Sequence, residues 1–128
     1  MSCREHSTMN DFPFQVMVKP AGSRCDLDCR YCFYTEKELL YGSRDRPSFR
    51  PLFRMAPEVL EAFIRQYIRS QAREEVFFAW QGGEPTLLGK DFFHNALTLQ
   101  RKYCGDKSVS NTIQTNGMHL DDAWCEFL

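Results

Sequence analysis

The sequence predicts an α/β protein built on parallel strands, and three observations carry that expectation. Strand-like and helix-like stretches alternate from Phe14 onward, in the order strand–helix–strand–helix–strand–helix that packs as a parallel sheet with right-handed crossovers. Val76-Phe77-Phe78-Ala79-Trp80 is a nearly continuous apolar run, which reads as a strand buried on both faces. Each strand stops at turn formers: Pro20-Ala21-Gly22-Ser23 after the first, Gly82-Gly83-Glu84-Pro85 after the second, Asn116-Gly117 after the third.

In chain order, Phe14-Gln15-Val16-Met17-Val18-Lys19 makes the first strand. A loop rich in cysteine follows. The polar, arginine-bearing stretch from Thr35 to Arg54, broken by Pro47 and Pro51, reads as irregular. Pro57 opens a helix at the first-turn position, where its missing N–H is harmless. Val59, Leu60, Phe63, Ile64, Tyr67 and Ile68 then form one apolar face, with Glu61, Arg65, Gln66 and Arg69 on the wet side. After the second strand, Asp91 to Tyr103 is again helical, with Gly105 as its stop. Ser108 to Thr115 is the third strand. Asp121-Asp122 begins a last helix whose acidic first turn suits the helix dipole, and which runs out at Leu128 after barely two turns. Three strands and a cut helix leave an open hydrophobic sheet edge. The expectation is therefore the N-terminal part of a larger α/β unit, with a complete small three-stranded domain as the alternative.

Bulk properties set limits on function. A chain of 128 residues has room for one domain with a modest core. The net charge of -1 gives no general field for nucleic acid. No apolar run approaches the roughly 20 residues that span a bilayer. The opening Met1-Ser2-Cys3-Arg4-Glu5-His6-Ser7-Thr8 lacks the apolar core of a secretory signal, so a cytoplasmic protein with residues 1–12 as a disordered tail is expected. Six cysteines could make disulfides, but three of them crowd into eight residues while Cys3, Cys104 and Cys125 lie far apart, unlike a secreted scaffold.

That crowded stretch, Cys25-Asp26-Leu27-Asp28-Cys29-Arg30-Tyr31-Cys32, carries the chemistry. Its three thiolates could hold three irons of a [4Fe–4S] cube and leave the fourth open to a small molecule, a vacancy that a four-cysteine electron carrier lacks. A structural zinc module is the other reading of a cysteine cluster, but it wants a fourth ligand that no spacing here supplies. Gly82 and Gly83 would let main chain approach a ligand closely, with Glu84 adding negative charge. Gln114, Thr115 and Asn116 end the third strand on the same rim, where their amides and hydroxyl could bond ribose, carboxylate or peptide. The histidines at 6, 94 and 119 share no ligand-like spacing and read as surface or partly packed groups. Cys104 and Cys125 read as small apolar core residues. The arginines at 44, 46, 50 and 54 read as a solvated loop.

The ordered set of Lys19-Pro20, the C-x3-C-x2-C loop with Tyr31 before its last cysteine, Phe33-Tyr34, Trp80-Gln81-Gly82-Gly83-Glu84-Pro85-Thr86-Leu87 and Gln114-Thr115-Asn116-Gly117 resembles the radical S-adenosylmethionine (radical SAM) enzymes. Within them it is most similar to the anaerobic sulfatase-maturating enzymes, whose complete members carry a C-terminal SPASM domain. The likeness runs from about Phe14 to the end of the chain. It implies that residues 13–128 are the first three or so βα units of a partial TIM-type (β/α)6 barrel, truncated before the barrel closes and before any SPASM domain. It implies two cofactors, a [4Fe–4S] cluster held by Cys25, Cys29 and Cys32, and S-adenosylmethionine bound by Tyr31, Gln81, Gly82, Gly83, Glu84, Gln114, Thr115 and Asn116. In this reading Tyr31 lies against the adenine, the Gly82–Glu84 turn meets the methionine amino group, and Tyr34 is a candidate for the substrate pocket. The family's acid/base aspartate would lie beyond Leu128, leaving no catalytic side chain within the chain. The implied partners are a flavodoxin or ferredoxin as electron donor and a sulfatase whose cysteine or serine becomes formylglycine. Another radical peptide modification, or a non-catalytic metal-binding fragment, is the alternative. The chain by itself is expected to be marginally stable and catalytically impaired.

Overall fold

A computed structural model describes residues 13–34 and 54–128. The tail expected over residues 1–12 and the irregular stretch expected over residues 35–53 lie outside the described residues, and Cys3, His6, Arg44, Arg46 and Arg50 lie there with them.

The strands β1 (Val16–Val18), β2 (Glu75–Trp80) and β3 (Ser108–Ile113) form one sheet in the order β1-β2-β3. Both pairings are parallel, with Val16 opposite Phe78, Val18 opposite Trp80, and Trp80 opposite Ile113. Helix α1 (Pro57–Ser70) links β1 to β2, helix α2 (Lys90–Tyr103) links β2 to β3, and the short α3 (Asp122–Phe127) follows β3. Neighbours in sequence are thus neighbours in the sheet, an open, singly wound arrangement and the opening part of a barrel that does not close within the described residues.

Both linking helices cover the same face. Val18, Val76, Phe78 and Trp80 point toward them and are buried together with Leu60 and Ile64 of α1 and Phe92, Phe93 and Ala96 of α2. An aromatic chain runs through this core: Tyr67 meets Phe78 edge-on with centroids 5.0 Å apart, Phe78 stacks on Trp80 at 5.9 Å, and Trp80 meets Phe92 at 6.0 Å. The expected burial of the middle strand on both faces is corrected. Phe77 is 47% exposed, like Met17 of β1 at 66%, because both side chains point to the face that no described element covers. Val59, assigned to the apolar face of α1, is 54% exposed; the buried stripe is Leu60, Ile64, Tyr67 and Ile68, centred one residue further round the helix.

Polar groups tie the layers where the apolar pattern breaks. Asn111 sits on the helix side of β3; its side-chain oxygen accepts from Trp80 Nε1 and Gln100 Nε2, both at 2.8 Å, and its amide donates back to Gln100 Oε1 at 2.8 Å. Lys107 donates to the Ile68 carbonyl at 2.7 Å and to the Gln71 carbonyl, closing the C-terminus of α1 where the helix leaves carbonyls without partners. Glu61 of α1 accepts from Lys102 at 2.8 Å and from Tyr103 at 2.5 Å, fastening α1 to α2.

Two cysteines depart from expectation. Cys104 caps the end of α2, half-buried, with its thiol donating to the Arg101 carbonyl at 3.4 Å. Cys125 is exposed, since α3 turns Trp124, with Phe127 packed beside it, toward the core and Cys125 therefore faces away. No described helix is long and apolar enough to cross a membrane.

Candidate functional site

Parallel strands bring all three of their carboxyl ends to one edge, and the residues singled out from the sequence lie there. The cysteine loop leaves β1, the Gln81–Pro85 turn leaves β2, and Gln114–Gly117 leaves β3. Main-chain hydrogen bonds continue past the strands and knit the three exits together. Gln81 N donates to the Val18 carbonyl at 2.8 Å and Gln114 N to the Trp80 carbonyl at 2.9 Å. Gly83 N donates to the Gly22 carbonyl at 2.8 Å and Glu84 N to the Arg24 carbonyl at 2.7 Å.

Those last two bonds explain the paired glycines. A Cβ on Gly83 would collide with the Arg24 carbonyl, and one on Gly82, whose φ is 127°, would come within 2.8 Å of the Gly22 carbonyl. The close approach that the glycines permit is made to the chain's own cysteine loop, one residue before Cys25.

Glu84 is fully buried. One carboxylate oxygen accepts from Thr86 N at 2.9 Å, Thr86 Oγ1 at 2.6 Å and Thr115 Oγ1 at 2.8 Å; the other accepts from Asn116 N at 2.7 Å. Its negative charge thus faces four protein donors that join the exit of β2 to that of β3. This satisfies a group that would otherwise be costly to bury.

Asn116 carries the linkage outward. Its side-chain amide donates to Asp26 Oδ1 at 2.8 Å and lies 3.8 Å from Cys25 Sγ, while its Oδ1 accepts from Met118 N at 2.9 Å. The other oxygen of Asp26 meets His119 Nε2 at 3.0 Å. Partial burial opposes ionisation of Asp26, but the Asn116 hydrogen bond, the loop backbone and His119 outweigh it and hold the carboxyl below its ordinary value. Asp26 and His119 were not among the expected site residues. The spacing of the histidines gives no ligand pattern, and no periodicity links His119 to Asp26.

Cys25, Cys29 and Cys32 are half-buried thiols on an irregular loop, where Cys32 N donates to the Cys29 carbonyl at 2.9 Å and Leu27 N to Cys25 Sγ at 3.5 Å. Among the described residues no three histidine, cysteine or acidic side chains converge into a ready-made metal site. The loop brings the thiols to one rim without assembling them. Their chemistry fits an iron–sulfur group, which soft thiolates bind, better than a hard cation, which takes oxygen ligands. Tyr31 is 89% exposed, and its hydroxyl is pushed above its ordinary value by a hydrogen bond to Cys29 and by the charge of that thiol. Tyr34 is half-buried and lies under the Lys19 ammonium, 3.8 Å from its ring centre. Gln81 is half-buried and Gln114 exposed at the same edge.

Residues 20–128, from the end of the first strand to the last residue, match the Radical SAM superfamily. The chain belongs to that superfamily. Radical SAM relatives sharpen the likeness. A serine-type anaerobic sulfatase-maturating enzyme of Bacteroides thetaiotaomicron is 45% identical over 115 residues, 90% of this chain and 26% of the relative. A cysteine-type anaerobic sulfatase-maturating enzyme of Clostridium perfringens is 38% identical over 117 residues, 91% of this chain and 30% of the relative. The solved structure of native anSMEcpe with bound AdoMet superposes with a TM-score of 0.74 at 38% identity, covering 91% of this chain and 30% of that one. This radical SAM chain thus spans less than a third of the length of these relatives and resembles their N-terminal region.

Proposed function

We propose that residues 13–128 form the first part of a radical SAM domain in an anaerobic sulfatase-maturating enzyme, and that the Cys25, Cys29 and Cys32 thiolates hold a [4Fe–4S] cluster at the carboxyl edge of the sheet. Cluster and S-adenosylmethionine, when bound, would supply one-electron cleavage of the sulfonium and a 5′-deoxyadenosyl radical able to take a hydrogen atom from a cysteine or serine side chain. The observation that carries the proposal is the meeting of the cysteine loop, the Gly82–Glu84 turn and the Gln114–Asn116 turn at one edge, in a chain matched to the superfamily over residues 20–128.

The chain's own contribution is positional. Three cysteines supply three thiolate ligands, one fewer than a cubane with every iron bound by protein, so the donor set suits a cluster that keeps one iron for a small molecule. Gly82 and Gly83 press the exit of β2 against the cysteine loop. Main-chain carbonyls of that turn are suited to the ammonium of a methionine group, with Glu84 holding the turn rather than offering a free carboxylate. Tyr31, exposed beside the thiols, has its ring face available to stack on adenine. Gln81, Gln114 and Thr115 complete the rim, and Tyr34, half-buried under the Lys19 ammonium, is the candidate for the substrate pocket. The acid/base aspartate falls outside these residues. A flavodoxin or ferredoxin as electron donor and a cytoplasmic site of action complete the proposal.

Anaerobic reconstitution with ferrous iron and sulfide tests it. The protein should turn brown, and its spectrum should change on adding S-adenosylmethionine. Cys29→Ala should abolish both the colour and 5′-deoxyadenosine release. A colourless zinc site, or cleavage retained in the variant, would sink the proposal.

A further inference from the structure

We infer that Asp26 is a positioning residue for the cysteine loop, clamped by Asn116 and His119 so that the Cys25 end of the loop is fixed against the exit of β3; this rests on the cluster-binding reading above. A loop that must hold three ligands in one geometry needs anchors outside itself, because ordering it at the moment of binding costs conformational entropy. Asp26 provides one immediately after the first ligand. Its two oxygens are taken by two different side chains, Asn116 Nδ2 at 2.8 Å and His119 Nε2 at 3.0 Å, so the carboxylate is held in orientation as well as in place. The donors come from a turn 90 residues further along the chain. That turn is itself secured, since Asn116 N is bound to the fully buried Glu84 at 2.7 Å.

The clamp also reaches the ligand. The same Asn116 amide lies 3.8 Å from Cys25 Sγ, and Leu27 N donates to that sulfur at 3.5 Å. Outer groups of this kind orient metal ligands, and their loss commonly weakens metal binding. Asp26 and His119 keep 27% and 40% of their side-chain surfaces exposed, so replacing either removes the clamp without opening the core.

The test compares wild type with Asp26→Ala, His119→Ala and Asp26→Asn in two measurements. In metal-free protein, amide hydrogen exchange over residues 25–32 should be about tenfold faster in Asp26→Ala, while exchange in α1 and β2 stays at wild-type rates. In anaerobic titration with ferrous iron and sulfide, Asp26→Ala should hold iron about tenfold more weakly. His119→Ala should fall between it and wild type in both measurements. So should Asp26→Asn, which keeps an acceptor for Asn116 but not the second oxygen for His119. Unchanged exchange, or faster exchange with wild-type iron retention, would overturn the positioning role. If wild type itself takes up no iron, the cluster reading fails, and the exchange rates alone decide whether the clamp exists.

Discussion

The helix-covered face of the sheet and its carboxyl edge are held by different forces. On the covered face Leu60, Ile64 and Phe78 are completely buried, and each side chain shares its contacts with several others. At the edge one buried carboxylate, Glu84, receives four hydrogen bonds, and the linkage continues through Asn116 to Asp26. Dispersion and apolar burial are non-directional, so the face degrades by degrees when a side chain shrinks. Hydrogen bonds are directional, and a donor left buried without an acceptor bears the full cost of desolvation. The difference suits the two tasks: the face supplies stability, and the edge sets three loops in register.

The largest effect should come from the face. Phe78→Ala should lower stability by about 3–5 kcal/mol in urea unfolding, whereas Phe78→Leu should cost less than half of that. Equal losses from the two would break the graded picture. Next is the edge. Glu84→Gln should cost about 2–3 kcal/mol, since one oxygen becomes an amide that cannot accept. The distinctive outcome is local: exchange at Asn116 and at the Gly22–Arg24 turn should accelerate in this variant and stay slow in Phe78→Leu. A uniform acceleration across the fold would erase the contrast between the regions.

A smaller effect tests the base of the scaffold. Lys107→Met should cost about 1–2 kcal/mol by releasing the Ile68 and Gln71 carbonyls at the end of α1, with no change at the cysteine loop. Smallest is the exposed Glu61–Lys102 pair. The Lys102 hydrogen bond, with help from Tyr103, lowers the Glu61 carboxyl below its ordinary 4.5, and the Glu61 hydrogen bond raises Lys102 above its ordinary 10.5. A lowered acid stabilises the fold above its unfolded value and loses that contribution as pH falls through the folded one. A raised base stabilises below its unfolded value and loses that contribution as pH climbs through the folded one. The urea midpoint difference between wild type and Glu61→Gln should therefore be present at neutral pH and shrink toward both extremes; a pH-independent difference would assign the effect to packing.

Much of the scaffold was legible because its signals are local. Pro57 at the start of α1, the apolar run of β2 and the acidic Asp121-Asp122 start of α3 depend on residues a few positions apart; the structure adds that the Asp121 side chain caps α3, accepting from Trp124 N at 2.8 Å. A residue whose surroundings come from distant parts of the chain is not legible in this way. The apolar strand around Phe77 points to burial, yet whether a second layer covers it depends on elements far away in sequence. A cysteine in a helix points to the core, but for Cys125 only the docking of Trp124 and Phe127 decides which side of that helix faces inward. The partners of Glu84 were equally invisible along the chain: its four donors appear only once β2 and β3 lie side by side.

From the sequence alone came the alternation of strands and helices and the three thiols of C-x3-C-x2-C, which follow from spacing along the chain, and the family resemblance, which rests on the ordered set of motif residues. Only the tertiary structure decided that the Gly82–Gly83 pair presses on the cysteine loop, that Glu84 is buried among protein donors, and that Asp26 meets Asn116 and His119. The reason is physical: a hydrogen bond forms between groups brought within about 3 Å of each other, and for Asp26 and Asn116, 90 residues apart, only the folded sheet sets that distance.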